Sequence, residues 1–416
     1  MKGTPRVQAR AGPVATLDTS DHDLQWFLGP LPVVSFLKDY YERRVWHGRT
    51  PVMPVLHFTR ADFETLLWMN DDSSTMKVVG ERAVERDEAR TGERHRAWVL
   101  QRYQAGHTIV LHAVDRHSGP VATIQRILET SFGGRGQVDA YFTPPATRGF
   151  KPHYHTHDTF ILQNEGTQRW RLYETPGAAP LRNWMEEIEP ASLRRGRDVM
   201  LGPGEVLYVP RGTVHAAENR GDASLHLTFT LRPHRWIDVL HELFKSWERR
   251  HLGARKSVPL TAEARAKDTT LVDLLSAVLA ECRKGRAIEE AFERVAERTI
   301  VGLRPPPGSG LVDPERKGAL HVDHFVARRV GMPCVTAHSK DGARLAFPGL
   351  GNEAAIVGPT FLAPTFRFIA RARAPFKISS LPGGLTDAAK LTVVRNLISK
   401  GLLRRCHRAD DRRVAP

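Results

Sequence analysis

The sequence predicts an α+β fold in which an antiparallel β barrel or sandwich is flanked on both sides by helices. Between Val138 and Leu231 run five short segments rich in β-branched and aromatic residues: Val138–Thr143, Thr159–Gln163, Gln168–Tyr173, Glu205–Val209 and Leu225–Leu231. Pro and Gly punctuate the gaps between them, as expected of strands joined by turns. Before and after this stretch the apolar residues recur at helical spacing instead. Several short strands in succession favour a closed or stacked antiparallel architecture over a parallel α/β sheet.

Taken in order, the chain opens with a basic segment, residues 1–20, that lacks the apolar run of a secretory signal and reads as a disordered tail. Pro32 starts a helix whose apolar face is Val33, Phe36, Leu37 and Tyr40, and Arg60–Trp68 makes a second. Ile109–His112 has the character of a buried strand. Val121, Ile124, Ile127 and Leu128 mark a third helix, stopped by Gly133-Gly134. Asn164-Glu165-Gly166 is a compact turn, so Thr159–Gln163 and Gln168–Tyr173 are expected to form a hairpin.

Past Pro233 the period is helical again. One face is Ile237, Leu240, Leu243, Phe244 and Trp247; another is Leu271, Leu274, Leu275, Val278 and Leu279. Arg304-Pro305-Pro306-Pro307-Gly308 reads as a linker. Leu381–Leu403 then reads as turn, helix and stop, with Thr386 at the N-cap and Gly401 just past the end. The expected units are residues 21–235, 236–305 and 306–416.

At 416 residues the chain is long enough for two or three domains. Cys282, Cys334 and Cys406 are scattered and unpaired in sequence, which argues against a disulfide framework and a cysteine-based zinc site and suits a reducing cytoplasm. No apolar run is long enough to span a bilayer. The net charge of +15 makes an acidic or nucleic-acid partner possible. It is not the favoured reading, because the arginines are spread along the chain and their one dense cluster, Arg404, Arg405, Arg408, Arg412 and Arg413, lies at the extreme C-terminus.

The segment that carries chemistry is Gly149-Phe-Lys-Pro-His153-Tyr-His155-Thr-His157-Asp158. On extended backbone, residues two apart point the same way, so His153 and His155 present both imidazoles to one side. A second segment, Gly204-Glu-Val-Leu-Tyr-Val-Pro210-Arg-Gly212-Thr-Val-His215-Ala-Ala-Glu-Asn219, is a strand, a sharp turn and a returning histidine. It matches the second cupin motif, G-x5-P-x-G-x2-H-x3-N, at every defined position. Neutral imidazole suits Fe, Zn, Cu and Ni alike, so His153, His155 and His215 are the expected metal ligands. His157 and Asp158 stand close behind them, Asp158 being a minor alternative ligand.

With these motifs in hand, the chain resembles the ribosomal oxygenase branch of the JmjC family, within the cupin superfamily. The likeness rests on Val138-Asp-Ala-Tyr141-Phe-Thr143, Pro152-His153-Tyr-His155 and Phe160-Ile-Leu-Gln163 through Arg169-Trp170-Arg171, and on Gly204–His215 and Ser224–Thr230. It implies a double-stranded β-helix barrel in 21–235, a helical dimerisation region in 236–305 and a C-terminal winged-helix domain in 306–416. It further implies Fe(II) and 2-oxoglutarate chemistry that hydroxylates a peptide or protein side chain, in a homodimer. Tyr141, Thr143, His226 and Gln168 fall at positions that line the family's cosubstrate or substrate pocket.

Two positions depart from the family. Its HxD motif here reads HxH, with His155 in place of the carboxylate, and its Lys or Arg for the distal carboxylate of 2-oxoglutarate is Gln168. The first change leaves the metal site about one unit more positive; the second removes a charge-assisted contact. Three readings therefore stay open. Another basic residue such as Lys151 takes over the anchor; the substrate itself chelates the metal without 2-oxoglutarate; or the chain is an inactive metal-binding dimeric scaffold.

Overall fold

The computed structural model describes residues 23–69, 75–80, 84–85, 92–147, 151–174, 179–181, 193–305, 320–329, 331–339, 342–349 and 354–406. The expected N-terminal tail, Pro306 to Gly308 of the linker and Arg408, Arg412 and Arg413 lie outside them.

The barrel unit begins with helices α1 (Leu24–Leu28), α2 (Val33–Asp39), α3 (Met53–Leu56), α4 (Arg60–Met69), α5 (Gly92–Gln104) and α6 (Gly119–Phe132). Its strands are β1 (Trp46–Arg49), β2 (Met76–Val79), β3 (Val84–Glu85), β4 (Thr108–Leu111), β5 (Gly134–Arg135), β6 (Val138–Thr143), β7 (Asp158–Glu165), β8 (Gln168–Glu174), β9 (Arg194–Leu201), β10 (Glu205–Val209), β11 (His215–Glu218) and β12 (Ser224–Pro233). One sheet runs β1-β10-β7-β12-β6-β4-β2-β3, with β5 also on β12; the other runs β11-β8-β9. All pairings are antiparallel.

Alternation along the strands sorts side chains to the two faces of the large sheet. Phe160 and Leu162 of β7, Tyr208 of β10 and Leu225, Leu227 and Phe229 of β12 point outward and join Phe27, Phe36, Ile124 and Leu128 of the covering helices in one core. Phe36 sits at its centre, its ring 5.0 Å from that of Tyr208 and 5.8 Å from that of Phe160. Ile161, Leu207 and Val209 point inward and meet Trp170, Leu172, Val199 and Leu201 of the small sheet. The remaining inward positions of β6 and β12 are polar: Asp139, Tyr141, Thr143, His226, Thr228 and Thr230.

The expected hairpin does not form. β7 pairs with β10 and β12, whereas β8 pairs with β9 and β11 in the other sheet. Residues Asp158 to Asn164 of β7 are all buried and both edges are occupied, so no edge remains for β8. The turn is instead a corner between sheets. Gly166 adopts φ 67°, and a Cβ there would stand 2.4 Å from the Ala223 carbonyl oxygen. Only glycine passes over the start of β12 so closely.

Helices α7 (Trp236–Arg250), α8 (Ala262–Lys267), α9 (Thr270–Lys284) and α10 (Ala287–Gly302) follow. Leu243, Trp247, Val278, Ala287 and Ala291 form a small core. Much of the remaining apolar surface faces outward, including Ile237, Leu240, Phe244, Leu271, Leu275, Leu279 and Phe292, with Trp236 77% exposed.

Residues 320–406 have a core of their own around Leu345, Phe347, Phe366, Ile369, Val394, Leu397 and Leu402. It is built from two small sheets, β13 (Phe325–Arg328) with β17 (Phe376–Lys377) and β18 (Leu403–Arg405), and β14 (Val335–Ser339) with β15 (Gly342–Ala346) and β16 (Ala355–Gly358). Helices α11 (Ala363–Arg371) and α12 (Asp387–Ser399) pack against them. Thr386 caps α12 by accepting from the Ala389 N–H at 3.3 Å, and Gly401 follows it at φ 79°.

A candidate metal centre in the barrel mouth

The ligand-bearing segments meet at one end of the barrel. His153 and His215 form an isolated antiparallel bridge, their amides donating reciprocally to each other's carbonyls at 3.0 and 2.8 Å. The Gly212 N–H donates to the His155 carbonyl at 2.9 Å, tying the Pro-Gly turn to the same segment. Residues 151–157 are thus held extended by this bridge and not by a full strand.

The side chains converge accordingly. Ligating nitrogens of His153, His155 and His215 all lie within 4.8 Å of one another. Nδ1 of His153 lies 2.8 Å from the Lys151 carbonyl and Nδ1 of His215 lies 2.9 Å from the Thr213 carbonyl. Both Nδ1 atoms must donate, which fixes the tautomer and leaves Nε2 as a lone-pair donor facing inward. Burial depresses the pKa of His153, that of His155 far more strongly, and that of His215 to about 3. Three neutral imidazoles therefore present lone pairs to one point, a donor set that fits a borderline divalent ion such as Fe(II).

His157 stacks on His155 with ring centroids 4.9 Å apart. Burial and Arg232 hold its pKa at about 4. Asp158 turns away from this cluster. It is 0% exposed; one oxygen accepts from Tyr208 Oη at 3.0 Å and from the Arg211 amide at 3.2 Å, the other from Arg211 Nη1 at 2.9 Å. Arg211 also reaches Glu42 at 2.7 Å. Burial pushes the Asp158 carboxyl up; the Arg211 guanidinium is itself desolvated, but Asp158 and Glu42 outweigh that and raise its pKa. This buried network joins the end of the His153–His157 segment to the turn before His215.

Deeper in the barrel, Tyr141 and His226 stack at 4.8 Å, and Trp170 lies edge-on to His226 at 5.5 Å and near His215 at 5.8 Å. Thr143 accepts from Thr108 Oγ1 at 3.1 Å. Gln168 shares the inner face of β8 with Trp170 and Leu172, Leu172 being the cross-strand partner of His215. Gln168 is thus the residue of the three farthest from the metal end, and it is 1% exposed. Arg169 and Arg171 project from the opposite face and pair with Asp198 and Glu218. Lys151, the alternative anchor, is exposed.

Sequence reading missed four contributors. Trp170 has the same inward parity as Gln168 and was readable from it. Gln163 donates to Ser224 and to two backbone carbonyls. Asp139 pairs with His112 at 3.1 Å. Arg232 shares the face of His226, Thr228 and Thr230 and bears electrostatically on His155 and His157. The last two need the barrel closed before their roles are visible.

Fold and site together define a cupin-type barrel with a histidine metal motif at its mouth, and residues 115–239 match the JmjC domain family. Several curated relatives of the chain carry ribosomal oxygenase names. It is 27% identical to mouse Ribosomal oxygenase 2 over 331 residues, 73% of this chain and 70% of that one, and 30% identical to the cattle protein of the same name over 56% and 54%. An Aedes aegypti relative, named bifunctional lysine-specific demethylase and histidyl-hydroxylase NO66, is 26% identical over 68% of this chain and 48% of its own. The chain thus spans only about half the length of several of these relatives. Among solved structures, the Escherichia coli ribosomal oxygenase YcfD aligns with a TM-score of 0.57 at 17% identity, over 90% of this chain and 98% of that one. A YcfD complex with cobalt and 2-oxoglutarate aligns at 0.56 and 18%, over 91% and 99%. At that identity the likeness fixes the fold.

Proposed function

We propose that this chain is a non-heme Fe(II) oxygenase of the JmjC type that hydroxylates a side chain of a peptide or protein. The observation that carries the reading is the convergence of three neutral imidazoles at the mouth of a JmjC barrel. The names of its relatives, which include a histidyl-hydroxylase, point to oxidation of protein side chains.

His153, His155 and His215 would hold the ion on one side and leave the opposite side for substrate, cosubstrate and O2. Bound there, Fe(II) supplies the activation of O2 that oxidation of a C–H bond requires. The carbonyls of Lys151 and Thr213 keep two imidazoles in the ligating tautomer, and Asp158 with Arg211 holds the two ligand segments in register. Trp170, Tyr141 and His226 pack against one another along the interior wall. Arg232 adds positive charge beside His157, which favours an anionic group near the metal.

2-Oxoglutarate fits this site only in part. The metal end suits a chelating 2-oxo acid, but Gln168 stands where a cation would meet the second carboxylate, and Lys151 is exposed. Gln168 therefore favours a variant chemistry in which substrate or a different cosubstrate occupies the metal. The outward apolar faces of α7, α9 and α10 suit a homodimer built through 236–305, and 306–416 fits a winged-helix-like module. In the helix of that module, Lys390 is engaged by the Ser379 carbonyl at 2.7 Å, which leaves the helix with few free basic groups for nucleic acid, in line with a role in protein contacts. The scattered cysteines suit a cytoplasmic setting, and among the described residues no helix is long and apolar enough to cross a membrane.

Metal analysis after anaerobic purification, followed by O2 uptake with and without 2-oxoglutarate and with protein substrates, tests the reading. Iron-dependent uptake supports it. Stoichiometric zinc with no uptake under any condition replaces it with a metal-bound scaffold.

A further inference from the structure

We propose that the small molecule filling the barrel beneath the metal ends in an uncharged hydrogen-bonding group, a carboxamide or hydroxyl, and not in a carboxylate. The inference rests on the metal reading above and concerns the end of the pocket farthest from the ion.

Four buried polar atoms carry it. Gln168 Oε1, Gln163 Oε1, Trp170 Nε1 and His226 Nδ1 are all inaccessible to solvent and have no hydrogen-bond partner. Buried polar groups are almost always satisfied, and orphans contributed to the barrel interior by β8 of one sheet and by β7 and β12 of the other mark a place where a ligand or ordered water supplies the missing partners. Their chemistry is mixed. Trp170 Nε1–H can only donate. Gln163 donates through Nε2 to Ser224 and to the Glu165 and Leu225 carbonyls, so its Oε1 is committed as an acceptor. Gln168 offers one donor group and one acceptor, and the low pKa of His226, about 3 through burial, keeps it neutral.

A carboxylate is acceptor-only. Placed here it would meet the Gln163 acceptor and shed its water without gaining a cation, a combination that buried charges avoid. Arg169 and Arg171 are on the far face of β8 and engaged with Asp198 and Glu218. Arg232, exposed near the end of β12, bears electrostatically on His155 and His157 at the opposite, metal end. A carboxamide supplies donor and acceptor together and leaves no charge to compensate. The site's polarity thus calls for a ligand anionic at the metal and neutral at its far end.

The probes are 2-oxoglutarate and 2-oxoglutaramate, which share a skeleton and differ only in the terminal group. Titrating each into the full-length protein loaded with Co(II) reads binding by calorimetry and by the cobalt visible spectrum, without turnover. The amide should bind at least ~10-fold tighter, the scale of one charged group left unmatched. A Gln168→Lys variant should reverse the order, and a Gln168→Met variant should weaken the amide without gaining 2-oxoglutarate. Equal or tighter binding of 2-oxoglutarate by the unaltered protein overturns the proposal, as does failure of both probes on the cobalt-loaded protein. Failure to take up Co(II) at all removes the metal reading and this proposal together.

Discussion

Arg211 offers the sharpest test of how the ligand segments are held. Its guanidinium is largely buried between Asp158 and Glu42, at 2.9 and 2.7 Å. Substitution by Met keeps the alkyl stem and the backbone N–H that Asp158 also uses, and removes only the charge. Breaking a buried pair from one side costs about 3–5 kcal/mol, because the remaining charge is left without compensation. The lower figure applies here. Asp158 keeps its bonds from Tyr208 and the Arg211 amide, and burial already pushes its carboxyl toward the protonated form. Arg211→Met should therefore lose about 3 kcal/mol, and Asp158→Asn, which keeps most of the hydrogen bonds, about 1–2 kcal/mol. The double variant should lose clearly less than the sum, with a coupling of about 1–3 kcal/mol. Urea unfolding followed through tryptophan fluorescence gives these values. Cobalt titration should show affinity reduced about 10–100-fold in Arg211→Met, the usual scale for groups that orient metal ligands. Strict additivity, or unchanged cobalt affinity in a folded Arg211→Met protein, refutes the coupling between this pair and the metal site.

Other consequences are equally open to measurement. His215 and His226 titrate at about 3 and His157 at about 4, whereas the unfolded chain titrates near 6.5, so the unfolded state binds more protons between those limits. The metal-free barrel should accordingly be fully stable above pH 6.5 and lose stability on acidification towards pH 4, by about 1.4 kcal/mol per unit for each such histidine. His226→Leu should remove one histidine's share of that slope in pH-dependent urea melts. The ligands are already neutral in the fold, so metal binding at pH 7 should release almost no protons, against about 0.7 for three unperturbed imidazoles; calorimetry in buffers of different ionisation enthalpy reads the difference. Thr386→Ala removes the α12 cap and should cost about 1 kcal/mol in the C-terminal unit without changing metal affinity. Replacing Trp236 and Phe292, which meet at 6.0 Å on the exposed helical face, by Glu should shift any dimer to monomer in sedimentation.

The sequence made the strand-rich centre and the converging histidines legible because both are local signals. Alternation marks the strands, and the two-residue spacing of His153 and His155 fixes their common direction. The Pro-Gly turn before His215 likewise announces itself. What could not be read was pairing. β7 looks like half of a hairpin, and only the burial of both its faces shows that its edges belong to β10 and β12. β9, Arg-Arg-Gly-Arg-Asp-Val-Met-Leu, carries too much charge to look like a strand until Asp198 is seen against Arg169 on the outer wall. Gln168 could be located but not weighed, since its meaning depends on orphaned neighbours on its own strand and on β7 and β12.

The corner at Gly166 has an evolutionary consequence. β8 reads Gln168-Arg169-Trp170-Arg171-Leu172, so neutral and cationic residues alternate strictly between the inside and the outside of the barrel. A strand's two faces exchange when its register slips by one residue. One residue inserted or lost at that corner would carry Arg169 and Arg171 into the cavity and expel Gln168 and Trp170. The charge offered to the buried end of a ligand is thus governed by whether an odd or even number of residues rounds the bend. Descendants of such a scaffold could change the class of small molecule they accept without altering a single side chain of the lining strand.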